Sequence, residues 1–403
     1  MMSQIMRIVI FTDVFHPKVD GVVKRLTGNI ESLVASGHQV LVVTSAGYAE
    51  SYPGIRVVNL PSVRLASDKD VRFGVRSTPD ALRIVREFEP EVAHAVAPCI
   101  VGVGILGIRM AEKFGIPLVT SFQTHYVRYI AGNPIWFWLK PFGWQQIRAI
   151  YNRGDVVLTT SEPMRDELEE QDVRGRWRKH PDGAEVLLWS KVVCTEEFSP
   201  EHRDAEMRRR LAGGDSGVTV LLFVGRLSRE KRIDSLRPIL DRVDGVVLAL
   251  VGDGPDRARL EEHFRGYPVI FHGILKGSSL AAAYASSDLF LFPSTFDTLG
   301  FVVLEAMASG LPVVTAGASG CSTSIDHGKS GYIYDPDHPD EAVEYVRMLT
   351  LDEGLRSGMG RAARERAREI GSWEANARDL LRIYQEAVRR SRAYAPSRPA
   401  TQS

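Results

Sequence analysis

Asp297 and Glu305 stand eight residues apart in the run Phe292-Pro293-Ser294-Thr295-Phe296-Asp297-Thr298-Leu299-Gly300-Phe301-Val302-Val303-Leu304-Glu305. An apolar run, a turn containing glycine and a second apolar run describe a strand, a loop and the start of a helix. Asp297, with Thr298 beside it, then lies in the loop and can face a sugar, while Glu305 lies on the helix and can face the ribose of the same nucleotide. The backbone amides of Leu299, Gly300 and Phe301 are placed to meet a diphosphate at the helix N-terminus. Charge developing on a departing diphosphate would be stabilised there without a metal ion, and no convincing Asp-x-Asp metal site competes with this arrangement.

A second run supplies cations. Val218–Val224 reads as a strand and is followed by Gly225-Arg226-Leu227-Ser228-Arg229-Glu230-Lys231-Arg232. Open α/β sheets bind ligands beyond the carboxyl ends of their strands. There a glycine lets the backbone approach a diphosphate, Arg226 can chelate two oxygens and Lys231 supplies a point charge. Alone, this run would read as a solvated basic turn. It is not alone: Val251-Gly252-Asp253-Gly254-Pro255 and Phe271-His272-Gly273 close two further strands with tight turns.

These loops need sheets to carry them. Arg7–Thr12, Gln39–Thr44, Glu91–Ala97, Pro117–Ser121 and Asp155–Thr160 are short strand-like runs, and helical patterns separate them at Val22–Ser36, Gly102–Phe114 and Ile135–Asn152. After Gly183 and the segment Val186–Pro200, a second series follows at Val218–Val224, Val246–Val251, Val269–His272, Leu289–Pro293 and Pro312–Thr315. Alternating strands and helices of this kind predict two doubly wound α/β lobes. The 403-residue length agrees, since one core rarely serves so long a chain. Fifty basic residues balance fifty acidic ones, which argues against nucleic acid as a partner, and acidic neighbours such as Glu206, Glu365 and Glu369 turn most arginine clusters into mixed solvated faces. Cys99, Cys194 and Cys321 share no ligand spacing and read as free thiols. Met1–Met6 leads straight into a strand, so the expected location is cytoplasmic, with peripheral membrane association left open.

Gly102-Val103-Gly104-Ile105-Leu106-Gly107 matches the dinucleotide fingerprint, but its glycines lie in an apolar helical run and no acidic strand end follows about twenty residues on. Close helix–sheet packing explains them better. Ile135–Trp144 is rich in tryptophan and reads either as an interfacial helix or, since Pro141 and Gly143 interrupt its face, as a helix packed on the first lobe. His94 reads equally as a core histidine or a cleft residue.

With these runs in hand, the chain resembles the retaining family 4 glycosyltransferases of GT-B fold, two Rossmann-like lobes facing across a cleft. The resemblance extends from Asp20-Gly21-Val22 to Ser372-Trp373-Glu374 and includes Leu188-Trp189-Ser190-Lys191, Phe198-Ser199-Pro200, Tyr284-Ala285-Ser286-Ser287-Asp288 and Leu304–Val314. Within the family it is most similar to the sulfoquinovosyl diacylglycerol synthases and related glycolipid transferases. The resemblance implies a final helix returning to the first lobe, hence lobes of 1–190 plus 374–392 and of 191–373; the Pro/Ser-rich composition of Ala393–Ser403 by itself reads as a disordered tail. The resemblance also implies Arg226 and Lys231 on the donor diphosphate, Glu305 on the ribose, Gly21 approaching the diphosphate from the first lobe, Asp297 where the family has a glutamate on the sugar, and the nucleobase against the backbone from Gly273 through Ile274 to Lys276, with Gly252 beside it. Asp20, Gln123, His125, Asp297 and Thr298 would line the sugar and acceptor pocket, and neither a metal nor a cofactor besides the UDP- or GDP-linked donor is expected.

Departures cluster around the sugar. Gln123 replaces the family histidine, with His125 two residues on, Asp297 replaces glutamate, and Thr323 stands where an acid is expected. The diphosphate and ribose residues persist, which favours an unusual donor sugar over lost activity. The expected activity is therefore retaining transfer of a nonstandard sugar to a small molecule in a specialised natural-product pathway. The alternatives are hexosyl or sulfoquinovosyl transfer to diacylglycerol at a membrane surface, a non-catalytic sugar-nucleotide-binding protein, and, less compatible with the Trp373 region, an epimerase. A homodimer stays open.

Overall fold

A computed structural model describes residues 5–18, 20–48, 51–65, 68–123, 140–177, 186–215, 217–317 and 320–394. The chain divides into two compact units, one running to Ser190 and resuming at Trp373, the other spanning Lys191–Ser372.

The first unit is built on strands β1 (Arg7–Thr12), β2 (Gln39–Ser45), β3 (Arg56–Leu60), β6 (Val92–Val96), β7 (Leu118–Phe122), β8 (Val156–Thr159) and β9 (Leu187–Leu188), all parallel, with β4 (Ser62–Leu65) and β5 (Asp68–Gly74) forming a separate antiparallel hairpin. Its helices are α1 (Gly21–Ala35), α2 (Pro79–Phe88), α3 (Val103–Phe114), α4 (Lys140–Tyr151) and α5 (Glu162–Glu170). The sheet order β3-β2-β1-β6-β7-β8-β9 reverses between β1 and β6. Near-continuous apolar strands such as Ile8–Phe11 and Leu41–Val43 are buried on both faces, as parallel sheets require.

The second unit contains α6 (Ala205–Leu211), β10 (Thr219–Val224), α7 (Arg237–Arg242), β11 (Val246–Val251), α8 (Arg257–His263), β12 (Val269–Gly273), α9 (Gly277–Ala285), β13 (Leu289–Phe292), α10 (Phe301–Ala308), β14 (Val313–Ala316), β15 (Gly331–Tyr334), α11 (Pro339–Leu351) and α12 (Glu353–Ile370). Its parallel sheet has the order β12-β11-β10-β13-β14-β15, reversing between β10 and β13. The last helix, α13 (Trp373–Tyr394), belongs to the first unit. It places Leu380, Ile383, Tyr384 and Ala387 in the core beside Ile8, Ile10 and Val119.

Arg25, 1% exposed on α1, fastens the end of that unit. Its guanidinium lies 3.9 Å from the Trp189 ring centroid and donates to the carbonyls of Trp189 at 2.8 Å and Ser190 at 2.6 Å. The Trp189 indole donates in turn to Asn376 on α13 at 3.2 Å. Burial pulls the Arg25 guanidinium down to about 9. His94 is a core residue and not a cleft lining: it is fully buried in mid-strand, 2.9 Å from the Tyr384 hydroxyl, and burial pulls it down to about 3.

The sequence patterns place no element between Thr44 and Glu91, where β3, the hairpin and α2 occur. Alternation with arginine and aspartate weakens the apolar signal of those short strands. Helix α13 also continues through Ala393 and Tyr394, which were expected to open the tail.

Candidate active site

The order reversal between β10 and β13 leaves a crevice at the carboxyl ends of those two strands, the usual ligand position in an open α/β sheet. The loops after β10 and β11 are joined there through backbone. Gly225 N–H donates to Val251 at 3.0 Å, Leu227 N–H to Asp253 at 3.0 Å, and Asp256 N–H to Leu227 at 2.9 Å. So close an approach demands glycine. A Cβ on Gly252, whose φ is 134°, would stand 1.9 Å from the Gly225 carbonyl oxygen, and one on Gly254 would stand 2.3 Å from that of Leu227. Gly252 N–H also donates to Gly273 at 2.8 Å, and Ile274 beyond it is 64% exposed. The expected nucleobase loops thus present backbone at the strand ends.

Arg226 is exposed on this loop, and a 3₁₀ turn at Arg229–Lys231 carries the lysine towards β13. Lys231 Nζ lies 2.7 Å from each Asp297 carboxylate oxygen and 5.7 Å from the Phe292 ring centroid. Two expected catalytic groups from opposite sides of the crevice are therefore one ion pair, with side chains 16% and 22% exposed. The Asp297 loop is braced from below, since its carbonyl accepts from Gly320 N–H at 2.9 Å.

Gly300 stands at the N-cap of α10 in the left-handed region at φ 69° and, as glycine, brings no capping side chain of its own. A Cβ there would fall 2.2 Å from Cys321 Sγ, so glycine serves both the turn and the packing. Leu299 and Phe301 bury their side chains, leaving backbone as what they can offer a ligand. Glu305, 4% exposed on the next turn, accepts a hydrogen bond from the Tyr284 hydroxyl at 2.9 Å. Burial, and next the neighbouring carboxylate, push Tyr284 well above the ordinary phenol range. In the sequence Tyr284 is one residue of the Tyr284–Asp288 run, and only the packing of α9 on α10 brings it to Glu305. At the expected acidic position, Thr323 Oγ1 and Ser324 Oγ instead accept from Lys191 Nζ at 2.6 and 2.7 Å.

Gly21 is the exposed first residue of α1. Asp20 caps that helix, accepting from Val23 N–H at 2.9 Å, and pairs with Lys18 at 3.2 Å. Gln123, 7% exposed beyond β7, donates to Ser121 Oγ at 3.1 Å. His125 and Trp136–Trp138 lie outside the described residues, whereas Trp144 is buried on α4.

Asp13 was not anticipated. It follows β1 at this unit's own reversal point, and its carboxylate accepts from the amides of Val103 at 2.6 Å, Gly74 at 3.3 Å and Gly104 at 3.4 Å. A Cβ on Gly102 would meet it at 2.4 Å, and one on Gly107 would meet the Phe11 ring at 2.1 Å. The Gly102–Gly107 glycines therefore pack α3 onto the sheet, and the helix start where a dinucleotide phosphate would bind already holds the chain's own carboxylate. An acid directly after a first strand was the available signal. Burial pushes Asp13 up to about 6, against the pull of those amides. Among the described residues, no group of three or more His, Cys, Asp and Glu is placed to hold a metal ion.

Residues 19–183 match the model "Glycosyltransferase Family 4" and residues 208–366 match "Glycosyl transferases group 1". The sulfoquinovosyl transferase SQD2 of Arabidopsis thaliana is 34% identical over 89% of this chain and 69% of its own length. The alpha-monoglucosyldiacylglycerol synthase of Streptococcus pneumoniae is 30% identical over 83% of this chain and 76% of its own. Among solved structures, Anabaena HepE in complex with UDP-glucose superposes with a TM-score of 0.72 at 16% identity, covering 94% of this chain and 99% of that one. Two parallel-sheet Rossmann-like units, the paired family matches and the SQD2 alignment have one meaning: the chain belongs to the family 4 glycosyltransferases of GT-B fold.

Proposed function

We propose that this protein transfers a glycosyl group from a nucleoside diphosphate sugar to an acceptor hydroxyl with retention of configuration and without a metal ion. The observation that carries the reading is the Lys231–Asp297 pair at the β10/β13 reversal, with Glu305 held by Tyr284 one helical turn away. Asp297 fixes the ammonium before the donor arrives, so the diphosphate meets a preset cation alongside Arg226 and the Gly300 start of α10. Glu305 receives the ribose hydroxyls, and the base lies on the Gly252 and Gly273–Ile274 backbone. The bond from the anomeric carbon to the phosphate oxygen breaks on the face where the acceptor oxygen attacks. The acceptor's proton passes to the departing phosphate oxygen.

The named relatives move the acceptor towards a lipid. An observation in the first unit supports that class: Val63, Val75, Ile100 and Val101 are 51–58% exposed. Gly74 and Val103 amides share the Asp13 carboxylate, which brings the hairpin end beside the Ile100–Val103 loop and gathers these aliphatic groups on one end of the sheet. Exposed aliphatic side chains on neighbouring loops suit an acyl-bearing acceptor. Gln123 and Asp297 favour the second reading, an unusual sugar given to a small soluble acceptor, because a changed hydrogen-bonding group in a pocket alters which sugar is tolerated.

Incubation with UDP-hexoses and diacylglycerol liposomes is expected to yield a glycolipid. Transfer only to soluble acceptors would sustain the second reading, and donor binding without any transfer would leave a non-catalytic binding protein. Turnover is expected to survive exhaustive EDTA treatment. Loss on chelation, restored by magnesium or manganese, would contradict the diphosphate geometry.

A further inference from the structure

A cavity of about 360 Å³ opens in the second unit away from Glu305 and the α10 start. The segment from Arg232 into α7 forms one wall, and the end of β15 with the start of α11 forms the other. The volume is that of a small-metabolite pocket.

Its charges are unbalanced in a particular way. Arg232, Arg237 and His263 line it together with Asp234 and Asp241. Asp234 is already paired with Arg259 at 3.0 Å. Asp241 accepts from the Tyr267 hydroxyl at 2.6 Å, and Arg237 Nε donates to that same oxygen at 3.0 Å. His263 Nε2 lies 3.3 Å from the Asp234 carbonyl. Arg232 is different: among the described residues no acceptor meets its guanidinium, although it is only partly exposed. Its charge is felt by the buried Tyr334 phenol across the cavity, which burial pushes up to about 12 against the pull of Arg232. Arg232 also has a left-handed backbone, φ 52°, rare outside glycine and costly unless its surroundings require it.

We infer that this cavity is a second ligand site, distinct from the donor crevice, for a small phosphate monoester such as a sugar phosphate, held by the Arg232 guanidinium with Arg237 nearby. A guanidinium fork matches phosphate oxygens in pairs. The hydroxyls of Ser235 and Tyr334 and the apolar wall of Leu236 and Ile239 suit the remainder of a sugar-sized molecule. Arg232 directly follows Lys231 in sequence, yet it lines this cavity while Lys231 pairs with Asp297 at the β10/β13 reversal, so the two neighbouring cations serve separate sites. This goes beyond the transferase reading, and its binding test does not require turnover.

Isothermal titration with glucose 6-phosphate and with inorganic phosphate, on protein presaturated with UDP, tests the site. Glucose 6-phosphate should still bind under UDP, and more tightly than phosphate alone. Arg232→Asn keeps a residue that tolerates the left-handed backbone and should weaken binding about 10- to 150-fold, the loss of one charge-assisted contact. Lys231→Ala should leave it within about twofold, well under one such contact. Should Arg232→Asn fold poorly, Arg237→Gln provides an independent reduction in affinity. Binding abolished by UDP or by Lys231→Ala would place the phosphate in the donor crevice and overturn the proposal, as would unchanged affinity in Arg232→Asn. If UDP itself fails to bind, titration of the unliganded protein and its Arg232→Asn variant still decides the cavity.

Discussion

Lys231 and Asp297 answer each other across two loops, and the consequences of removing one follow from that geometry. Lys231→Ala should lower UDP-sugar affinity roughly 10- to 150-fold, because a charge-assisted contact is worth about 1.5–3 kcal/mol, with little change in melting temperature. A donor titration identical to that of the unaltered protein would remove Lys231 from the site. Asp13 makes a prediction of another kind. Its folded-state value lies near 6, above the 3.8 of a free aspartate, so the folded state holds the proton to higher pH. That stability is complete below about pH 4 and is lost as pH rises through 6, by roughly 3 kcal/mol for a shift of this size. The stability of the unaltered protein relative to Asp13→Asn should therefore fall between pH 4 and 6, measured by urea denaturation; a constant difference would refute the assignment. Arg25 shows the converse case, a buried cation that meets main-chain carbonyls and an indole face.

Among the elements, α10 depends on the residue at its N-cap. Gly300 combines a positive φ with a site where a Cβ would meet Cys321 Sγ at 2.2 Å, so Gly300→Ala should destabilise by about 1–3 kcal/mol and weaken donor binding by displacing the helix start. Adding Cys321→Ala removes the sulfur contact and leaves the backbone strain, so the double variant should recover part of the loss. Full recovery, or none, in thermal denaturation would show that one of the two causes is absent. The two reversal points are used unequally for a related reason. Helix α3 begins against Asp13 and α10 begins against the Lys231–Asp297 crevice, so equivalent strand ends differ in what their own chain places there.

Across the molecule, α13 is the element that the first unit cannot supply from its own continuous stretch. Tyr384 meets His94, Asn376 meets Trp189, and Leu380 and Ala387 complete one face of the sheet. A chain ending at Ser372 should therefore lose the first unit's cooperative unfolding while the second unit, contiguous from Lys191, keeps its own. Two calorimetric transitions should reduce to one. Retention of both would show that α13 is dispensable.

Periodicity and turn residues alone determined much of this protein. The alternation of apolar runs and helical patterns specified both parallel sheets, since strands buried on both faces must be written almost entirely in apolar residues. The Gly225–Lys231 and Asp297–Glu305 runs marked the loops that flank the β10/β13 reversal, because glycines and charged groups gathered just beyond an apolar run stand out from it. Tertiary structure alone decided what those groups touch. The bond from Lys231 to Asp297 links residues 66 apart, Tyr284 reaches Glu305 from another helix, and Asp13 occupies a helix start that lies 90 residues away in sequence. The hairpin and β3 are not legible in the sequence because short strands carrying arginine and aspartate have little apolar signal of their own, and pairing across the chain stabilises them. Spacing along a chain reports the local period of burial; which distant side chain satisfies a buried charge is settled only when the sheets are wound.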